Sequence, residues 1–295
     1  MNNASQAKLI PPGWADCLAK NLLERKLLPA QICLVLGASD TGKTALVETL
    51  AKHLVKNSLV ALVDADTGQS HIGPPTTVGW AMIDKPQFDI SNLPAKGISF
   101  VGDITPTGHL LQLTSAIAQC VEQASKAAKI IIIDTPGFIA GPAARALWWT
   151  IQRILSPGLI IAVQQQNELS EILAGMQYTE AHIEVVKPPA CLPAKSPEHR
   201  KSYRQQRFRE YFQNSFAYSI GLKNVAVRAN RRLDYDNTVN YLVGLADLKG
   251  LDIAVGLVVD WSKDKNIVKV RAPEIDISSV RCLTIGDVSI NLEDE

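Results

Sequence analysis

The sequence predicts an α/β fold, in which a parallel sheet is covered by helices on both faces, followed by a small β-rich unit at the C-terminus. Short apolar runs alternate with longer segments of helical periodicity, a pattern typical of strands buried between two layers of helices. Most of these runs end at Gly, Asp or Thr, at the edge where open α/β sheets bind ligands. After about residue 216 the pattern changes to short β-like runs.

The elements of the first part follow one another in a regular order. The predicted strands lie at residues 32–36, 59–63, 99–101, 130–133, 159–163 and 183–186. The predicted helices lie at residues 43–56, 110–128, 143–155, 168–173 and 198–212. The segment between the second and third strands is rich in Gly, Pro and Thr and is predicted as a loop.

Three parts follow from this order. Residues 1–30 are a lead-in with a helix-like stretch at 14–28, residues 31–215 form the main α/β domain, and residues 216–295 form the small β-rich domain. Within the main domain a proline-rich stretch at 187–195 precedes the last helix. The β-like runs of the C-terminal part lie at residues 225–227, 253–259, 267–270 and 280–285.

The composition excludes several classes of protein. The chain is 46% hydrophobic and 20% charged with a net charge of +1, so it is no polycation, and nucleic-acid binding would require a local basic surface. The five cysteines form no C-x-x-C pair and the histidines show no metal-ligand spacing, which argues against disulfides and zinc. No signal core or membrane-length apolar run is present, so we predict a cytoplasmic protein without a membrane partner.

A glycine-rich loop between the first strand and the first helix fits the pattern G-x-x-x-x-G-K-[ST]. In this pattern the backbone amides and the helix N-terminus surround phosphates, the lysine bridges the β- and γ-phosphates, and the last hydroxyl ligates Mg²⁺. The loop therefore predicts nucleoside triphosphate binding by a P-loop fold. The nucleotide-binding residues are Gly37, Ala38, Ser39, Asp40, Thr41, Gly42, Lys43 and Thr44.

Acidic residues follow two of the predicted strands. Asp64 and Asp66 are spaced by two, so both could face the nucleotide, although Asp64 could equally cap the following turn. A carboxylate here either holds the water shell of Mg²⁺ or accepts the proton of an incoming hydroxyl. Asp134 begins a D-T-P-G segment that resembles the switch element of GTPases, or is a strand end followed by a turn. The guanine-binding tetrapeptide N-K-x-D is absent from the sequence.

The last helix of the main domain is basic and aromatic. Arg200, Arg204 and Arg207 are spaced by four and three, which places them on one helical face. Guanidinium groups arranged in this way suit a lid that closes over phosphates and stabilises the charge of the transition state. The alternative is a solvated surface helix with ordinary charges.

In this order, the motifs resemble those of the polynucleotide 5′-hydroxyl kinases, the family of the pre-mRNA cleavage-complex RNA kinase and the ribosomal-RNA-processing kinase. The resemblance spans about residues 30–215. Its parts are the P-loop, a D-x-G-Q element at residues 66–69, a G-x-x-x-P-x-G loop at residues 102–108, a clasp at residues 134–138 that is similar to N-T-x-G-W, and the arginine lid at residues 198–212.

The resemblance implies transfer of the γ-phosphate of ATP or GTP, with Mg²⁺, to the 5′-hydroxyl end of single-stranded RNA or DNA. It implies catalytic roles for Lys43, Asp66, Arg200 and Arg204, with Thr44 and Asp66 at the metal. The implied substrate-binding residues are Gln69, Thr135, Gly137, Phe138 and Arg207.

The clasp departs from the family pattern, because Asp134 and Phe138 stand where the family more often has Asn and Trp. A carboxylate beside a polyanion is unfavourable unless it binds metal or forms local hydrogen bonds. Two other classes therefore stay open: a non-catalytic ATP-binding assembly protein, and a P-loop GTPase or ATPase of the metallochaperone type.

Overall fold

The computed structural model describes residues 31–188, 192, 194–229 and 237–292. The lead-in predicted at residues 1–30, with its helix at 14–28, lies outside these residues. No helix in the described ranges combines the length and the apolar character that a membrane crossing requires.

The main domain is built around a seven-stranded sheet. Its strands are β1 (Gln31–Gly37), β2 (Val60–Asp64), β3 (Thr77–Ile83), β4 (Gly97–Phe100), β5 (Ile130–Asp134), β6 (Leu159–Val163) and β7 (His182–Val186). They lie in the order β4-β3-β2-β5-β1-β6-β7, with β1 pairing in parallel with both β5 and β6. The carboxyl ends of β2, β5 and β1 are therefore neighbours, and the register pairs Asp64 with Asp134.

Helices cover both faces of this sheet. They are α1 (Lys43–Leu54), α2 (Leu110–Ser125), α3 (Gly141–Leu155), α4 (Ser170–Ala174) and α5 (Pro197–Phe212). Side chains of β1 alternate between two cores: Leu34 and Leu36 pack in the core that includes α2 and α3, and Cys33 and Val35 pack in the core that includes α1. This burial on both faces explains why the central strands are mostly apolar, and it confirms the predicted fold class.

One strand was not predicted. The sequence predicts a loop over residues 77–83, whereas the structure has β3 there, antiparallel to both β2 and β4. Gly79 interrupts the apolar run that would have indicated a strand. The loop that contains Ile72 crosses this position, and a Cβ on residue 79 would lie 2.0 Å from the Ile72 carbonyl oxygen, so a glycine is required. Because no helix separates β2 from β3, the chain returns antiparallel. The prediction of parallel pairing is correct for β2, β5, β1, β6 and β7, and β4 at the edge pairs only with β3.

The C-terminal part forms a second, six-stranded sheet, which confirms the predicted β-rich unit. Its strands are β8 (Phe216–Gly221), β9 (Ala226–Ala229), β10 (Tyr241–Ala246), β11 (Asp252–Ser262), β12 (Ile267–Ala272) and β13 (Cys282–Ser289). Their order is β8-β12-β11-β10-β13-β9, with antiparallel pairing except between β13 and β9. The sequence did not predict β8 or β10. Gly244 lies within β10. A larger residue would not fit there, because a Cβ would lie 2.7 Å from the Phe100 ring.

The two sheets share a buried apolar cluster that includes the end of α5. Phe208 and Phe212 pack there with Phe100 of β4 and with Leu242 and Val255 of the second sheet. The Tyr211 hydroxyl accepts a hydrogen bond from the Val255 amide at 2.9 Å. The C-terminal half of α5 is therefore held between the two domains, and only its N-terminal half is in a position to act as a lid.

Asp252 of β11 makes a buried polar contact across the same boundary. Its carboxylate accepts hydrogen bonds from the Phe100 amide at 2.7 Å and the Ser99 hydroxyl at 3.5 Å. Burial raises the pKa of this carboxyl to about 7, against the effect of these hydrogen bonds. Between the pKa of a solvated aspartate and this value, the folded state binds more protons than the unfolded state. The Asp252 contribution to the free energy of unfolding therefore falls as pH rises through this range.

We expect Asp252→Asn to remove this pH dependence, because an asparagine still accepts from the Phe100 amide and carries no charge. The difference in the free energy of unfolding between variant and wild type should grow in favour of the variant between pH 4 and pH 8, by about 4 kcal/mol at most. Urea denaturation at several pH values measures it. Parallel pH profiles for the two proteins would contradict the prediction.

Candidate active site

The P-loop turns tightly between β1 and α1. Asp40 and Gly42 have left-handed backbone conformations, with φ of 60° and 81°. The Thr41 hydroxyl and the Lys43 ammonium both donate to the Ala38 carbonyl oxygen, at 2.8 Å and 2.7 Å. A Cβ on Gly37 would lie 2.7 Å from the carbonyl oxygen of Val163 on β6. The loop therefore closes around its own backbone at the end of the sheet, as the motif predicts.

Lys43 is buried at the start of α1. Burial lowers the pKa of its ammonium, and the charges of Asp134, Asp66 and Asp40 oppose this effect, in that order. The three carboxylates therefore surround a cation that has been withdrawn from water. Such a lysine is suited to phosphate oxygens, because a buried charge interacts more strongly with a ligand than a solvated one does.

Thr44 and Asp134 form a pair that the sequence did not reveal. The Thr44 hydroxyl donates to Asp134 Oδ2 at 2.6 Å, although the two residues are 90 positions apart. Asp134 is 3% exposed, and its other oxygen, Oδ1, has no hydrogen-bond partner within the described ranges. Burial, followed by the charge of Asp64, raises the pKa of Asp134 to about 6, against the effects of Lys43 and Thr44.

This pair fits a magnesium ion. A P-loop hydroxyl and a carboxylate at the end of a neighbouring strand are oxygen donors of the kind that Mg²⁺ takes beside nucleotide phosphates. The unpartnered oxygen of Asp134 is a buried polar atom that such an ion would satisfy. The sequence analysis placed Asp134 in the clasp; the available signal was its position directly after a wholly apolar strand.

Asp64 caps the loop that follows β2. Its carboxylate is 1% exposed and accepts hydrogen bonds from the backbone amides of Asp66 (3.1 Å), His71 (2.5 Å) and Ile72 (3.1 Å). Burial raises its pKa to about 7. Of the two roles considered from the sequence, these contacts favour the capping role.

Asp66 is half-buried at the same edge of the sheet. Its Oδ1 accepts from the backbone amides of Gly68 and Gln69, both at 3.0 Å, which holds the side chain in place. Within the described ranges no hydrogen bond is recorded for Oδ2. The charge of Asp66 acts on both Lys43 and Arg204. This carboxylate is therefore close enough to act electrostatically on both the P-loop lysine and the arginine helix.

Lys195 connects the predicted substrate side with the P-loop. Its ammonium donates to Gln69 Oε1 at 2.9 Å, and its backbone amide donates to Asp40 Oδ2 at 3.3 Å. The sequence analysis did not single out Lys195, because it lies in the proline-rich stretch before α5. The sequence carries no signal for this contact, because Gln69 and Lys195 are 126 positions apart.

The first two helix arginines lie near the P-loop and Asp66. Arg200 forms an ion pair with Asp40 at 2.5 Å. For Arg204 no hydrogen bond or ion pair is recorded with any described residue. Burial, then the charge of Arg200, lowers the Arg204 pKa, while Asp66 raises it. Arg204 is therefore the lid arginine that is available to a ligand.

Arg207, which the sequence analysis assigns to substrate binding rather than to catalysis, has a different environment from Arg200 and Arg204. Its Nη2 donates to the carbonyl oxygens of His71 at 2.8 Å and Gly73 at 3.2 Å, and its Nη1 pairs with Glu210 at 3.1 Å. The Tyr203 hydroxyl makes a similar contact to the Ser70 carbonyl at 3.0 Å. These contacts fasten α5 to the loop after β2, so the geometry does not support a substrate contact for Arg207.

The clasp residues lie directly beneath the P-loop. Thr135 is 1% exposed and donates its hydroxyl proton to the Val35 carbonyl at 2.6 Å, so this hydroxyl holds the loop to β1. Phe138 is half-buried against the core, and its carbonyl oxygen accepts from the Trp148 indole at 2.7 Å. A Cβ on Gly137 would lie 2.4 Å from the Ser39 amide nitrogen. The clasp therefore supports the shape of the P-loop.

We expect Gly137→Ala to weaken nucleotide binding about tenfold, because the added methyl group displaces the Ser39 amide and overpacking of this kind costs about 1–3 kcal/mol. Titration with a fluorescent ATP analogue measures the effect. Gly221→Ala is the matched control, since a Cβ at Gly221 meets no atom within 4 Å. Equal affinities in the two variants would contradict the prediction.

The fold and the site define a P-loop nucleoside triphosphate-binding protein whose phosphate site is covered by an arginine-bearing helix. Comparison with known families agrees. The family described as mRNA cleavage and polyadenylation factor CLP1 P-loop matches residues 37–214, more than half of the chain. The chain belongs to this family, and the resemblance to polynucleotide kinases stated from its motifs is confirmed.

Similar proteins include archaeal enzymes and a solved relative. The polyribonucleotide 5′-hydroxyl-kinase of Pyrococcus abyssi is 26% identical, covering 94% of this chain and 92% of that protein. The enzyme of the same name from Methanocaldococcus jannaschii is 34% identical, covering 66% of this chain and 54% of its own. Clp1p in its complex with Pcf11p has the same fold, with a TM-score of 0.74 at 13% identity over 94% of this chain and 79% of that one.

Proposed function

We propose that this protein is a polynucleotide 5′-hydroxyl kinase that transfers the γ-phosphoryl group of ATP or GTP to the 5′-hydroxyl end of single-stranded RNA or DNA. The observation that carries the proposal is Asp66, a held carboxylate whose charge acts both on the P-loop lysine and on Arg204, which has no ion pair within the described part of the chain. A donor phosphate, an acceptor hydroxyl and a charge-stabilising cation fit this arrangement. Family membership and the names of the archaeal relatives support it.

The donor half binds and orients the triphosphate. The P-loop amides and the N-terminus of α1 face the phosphates, and Lys43 neutralises the charge of the β- and γ-phosphate oxygens. Thr44 and Asp134 would hold Mg²⁺, with Asp66 nearby to bind its water shell. When bound, the ion neutralises charge on the triphosphate and on the leaving group. The rest of this half acts by positioning.

The acceptor half activates the 5′-hydroxyl. The oxygen of the 5′-hydroxyl forms a bond to the γ-phosphorus, and Asp66 accepts the proton of that hydroxyl. At the same time the bond between the γ-phosphorus and the β–γ bridging oxygen breaks. The amides of Gly68 and Gln69 hold Asp66 in place for this step. Arg204 stabilises the charge on the transferring group. Arg200 contributes to this stabilisation whether or not it keeps its ion pair with Asp40.

The terminal nucleotides would lie beside Gln69 and the clasp. The Gln69 amide, which accepts a hydrogen bond from Lys195, would contact the sugar or the first phosphate. The partly exposed ring of Phe138 offers an edge to a base, and stacking contributes about 1–3 kcal/mol per base without strong sequence preference. Thr135 and Gly137 support these contacts through the loop.

Buried free thiols at Cys33, Cys120 and Cys282 agree with a reducing compartment such as the cytoplasm.

The function is tested by incubating the protein with γ-labelled ATP, Mg²⁺ and an oligonucleotide that carries a 5′-hydroxyl. We expect label at the 5′ end of this strand, and none on the same strand with a 5′-phosphate. RNA and DNA strands of identical sequence, each with ATP and with GTP, establish the preferences. Absence of label on every 5′-hydroxyl strand, with ATP still bound, would favour a non-catalytic ATP-binding protein.

A further inference from the structure

The loop at residues 102–108 meets β13 of the second sheet in direct backbone contact. Gly102 has a left-handed φ of 95°, and a Cβ on Gly286 would lie 2.7 Å from the Gly102 carbonyl oxygen. The same carbonyl accepts a hydrogen bond from the Asp287 amide at 2.8 Å. Because Asp103 and Asp287 directly follow the two glycines, this contact places two carboxylates from different domains next to each other.

A buried histidine completes the group. His109 is 6% exposed, and its Nε2 lies 2.9 Å from Asp287 Oδ2. Its Nδ1 lies 3.2 Å from the Thr107 carbonyl oxygen. One ligand atom each of His109, Asp103 and Asp287 can be chosen such that all three lie within 4.8 Å of one another. The ligand atoms thus converge on one point at the boundary between the domains.

The surroundings of His109 resemble those of a metal-ligating histidine. Both ring nitrogens face acceptors, the Thr107 carbonyl and Asp287, whereas an imidazole with a single N–H can donate to only one of them. A backbone carbonyl on the second ring nitrogen is the usual way in which a metal-ligating histidine is oriented. Two carboxylates also bring two negative charges against a single imidazole, which a divalent cation would compensate.

We propose that Asp103, His109 and Asp287 form a binding site for a divalent transition-metal ion, with Zn²⁺ or Mn²⁺ as the representative ligands. One imidazole nitrogen and two carboxylate oxygens suit these ions better than Mg²⁺, which prefers oxygen donors alone. The site joins the main domain to the C-terminal sheet. It uses none of the residues assigned to the nucleotide and its magnesium.

Occupancy of this site would stiffen the acceptor side of the active centre. The carbonyl oxygen of Ile104, in the same loop, lies 2.7 Å from the position of a Cβ on Gly68. Gly68 donates the amide that holds Asp66. A metal ion that fixes the loop at residues 102–108 therefore also fixes the turn beneath Asp66, and it links the C-terminal sheet to that turn.

The test uses the full chain, stripped with EDTA and dialysed, and titrated with ZnCl₂ or MnCl₂ in calorimetry and thermal melting. We expect saturable binding and a raised Tm for the wild type, with MgCl₂ giving no comparable shift. Asp103→Asn should weaken Zn²⁺ binding more than about tenfold, because it removes one charged ligand. This variant should fold normally, since an asparagine oxygen can still accept from the Thr105 amide, as Asp103 does at 2.9 Å.

Asp134→Asn is the matched variant, because it alters the nucleotide site and leaves the proposed site intact. Zn²⁺ affinity unchanged by Asp134→Asn but lost in Asp103→Asn would support the assignment. Equal affinity in wild type and Asp103→Asn would overturn it, as would the absence of binding in the wild type. In either of those cases His109 and Asp287 form only a hydrogen-bonded pair between the domains.

Discussion

Lys43→Ala is expected to lower the rate of phosphoryl transfer to a 5′-hydroxyl strand by about 10³-fold, the loss typical of removing one charge-stabilising donor from a transition state. The effect is large because Lys43 is a buried cation among three carboxylates. Without it, the γ-phosphate meets the negative charges of Asp134, Asp66 and Asp40 without the buried ammonium that opposes them. Single-turnover transfer of labelled phosphate measures the change.

Lys52→Ala is the control for this experiment, because Lys52 lies on the same helix and its contacts, a partly exposed pair with Glu48 and a cation–π contact with Phe88, are away from the P-loop. It should leave the transfer rate unchanged. If Lys43→Ala lost less than tenfold while Lys52→Ala retained full activity, Lys43 would have no direct part in the transfer. Circular dichroism confirms that both variants remain folded.

Arg204→Ala is expected to lower kcat about 10³-fold with little change in Tm. An arginine that contacts the transferring phosphoryl group contributes at least this much in related chemistry. Its removal should cost little stability, because no hydrogen bond or ion pair joins Arg204 to the described residues. Arg204→Lys should restore only part of the rate, since an ammonium cannot reproduce the planar fork of the guanidinium. Steady-state kinetics together with thermal melting provide both readouts.

Arg207→Ala provides the contrast. Arg207 donates to two backbone carbonyls and pairs with Glu210, so its loss should lower the free energy of unfolding by about 2 kcal/mol. Its activity should decline less than that of Arg204→Ala. A larger loss of kcat in Arg207→Ala than in Arg204→Ala, at unchanged stability, would show that Arg207 and not Arg204 makes the catalytic contact.

The phosphate-binding half of the site could be predicted from the sequence because its residues are consecutive. A glycine-lysine-threonine loop between a buried strand and a helix admits few other structures, and the loop Gly37 to Thr44 has the expected geometry. The sheet could be predicted because strands buried on both faces are wholly apolar. β3 could not be predicted, because Gly79 and the surrounding turn residues break the apolar pattern of a strand. The glycine is required there because the loop that contains Ile72 crosses the strand.

The acceptor half depended on contacts between distant segments. Helical spacing placed three arginines on one face. It could not tell that Arg207 would turn to the loop after β2, while Arg204 would have no ion pair among the described residues. Nor could it distinguish the capping role of Asp64 from the held carboxylate of Asp66. These assignments depend on which backbone amides and carbonyls surround each side chain after folding.

By itself, then, the sequence determined the fold class, the P-loop and the order of the family's motifs, because periodicity and consecutive residues encode local structure directly. Only the tertiary structure decided that Thr44 pairs with Asp134, that α5 is fixed at its C-terminal end, and that Asp103, His109 and Asp287 converge. These contacts join residues far apart in the chain. Their partners are set by strand register and domain packing, which no local pattern of residues specifies.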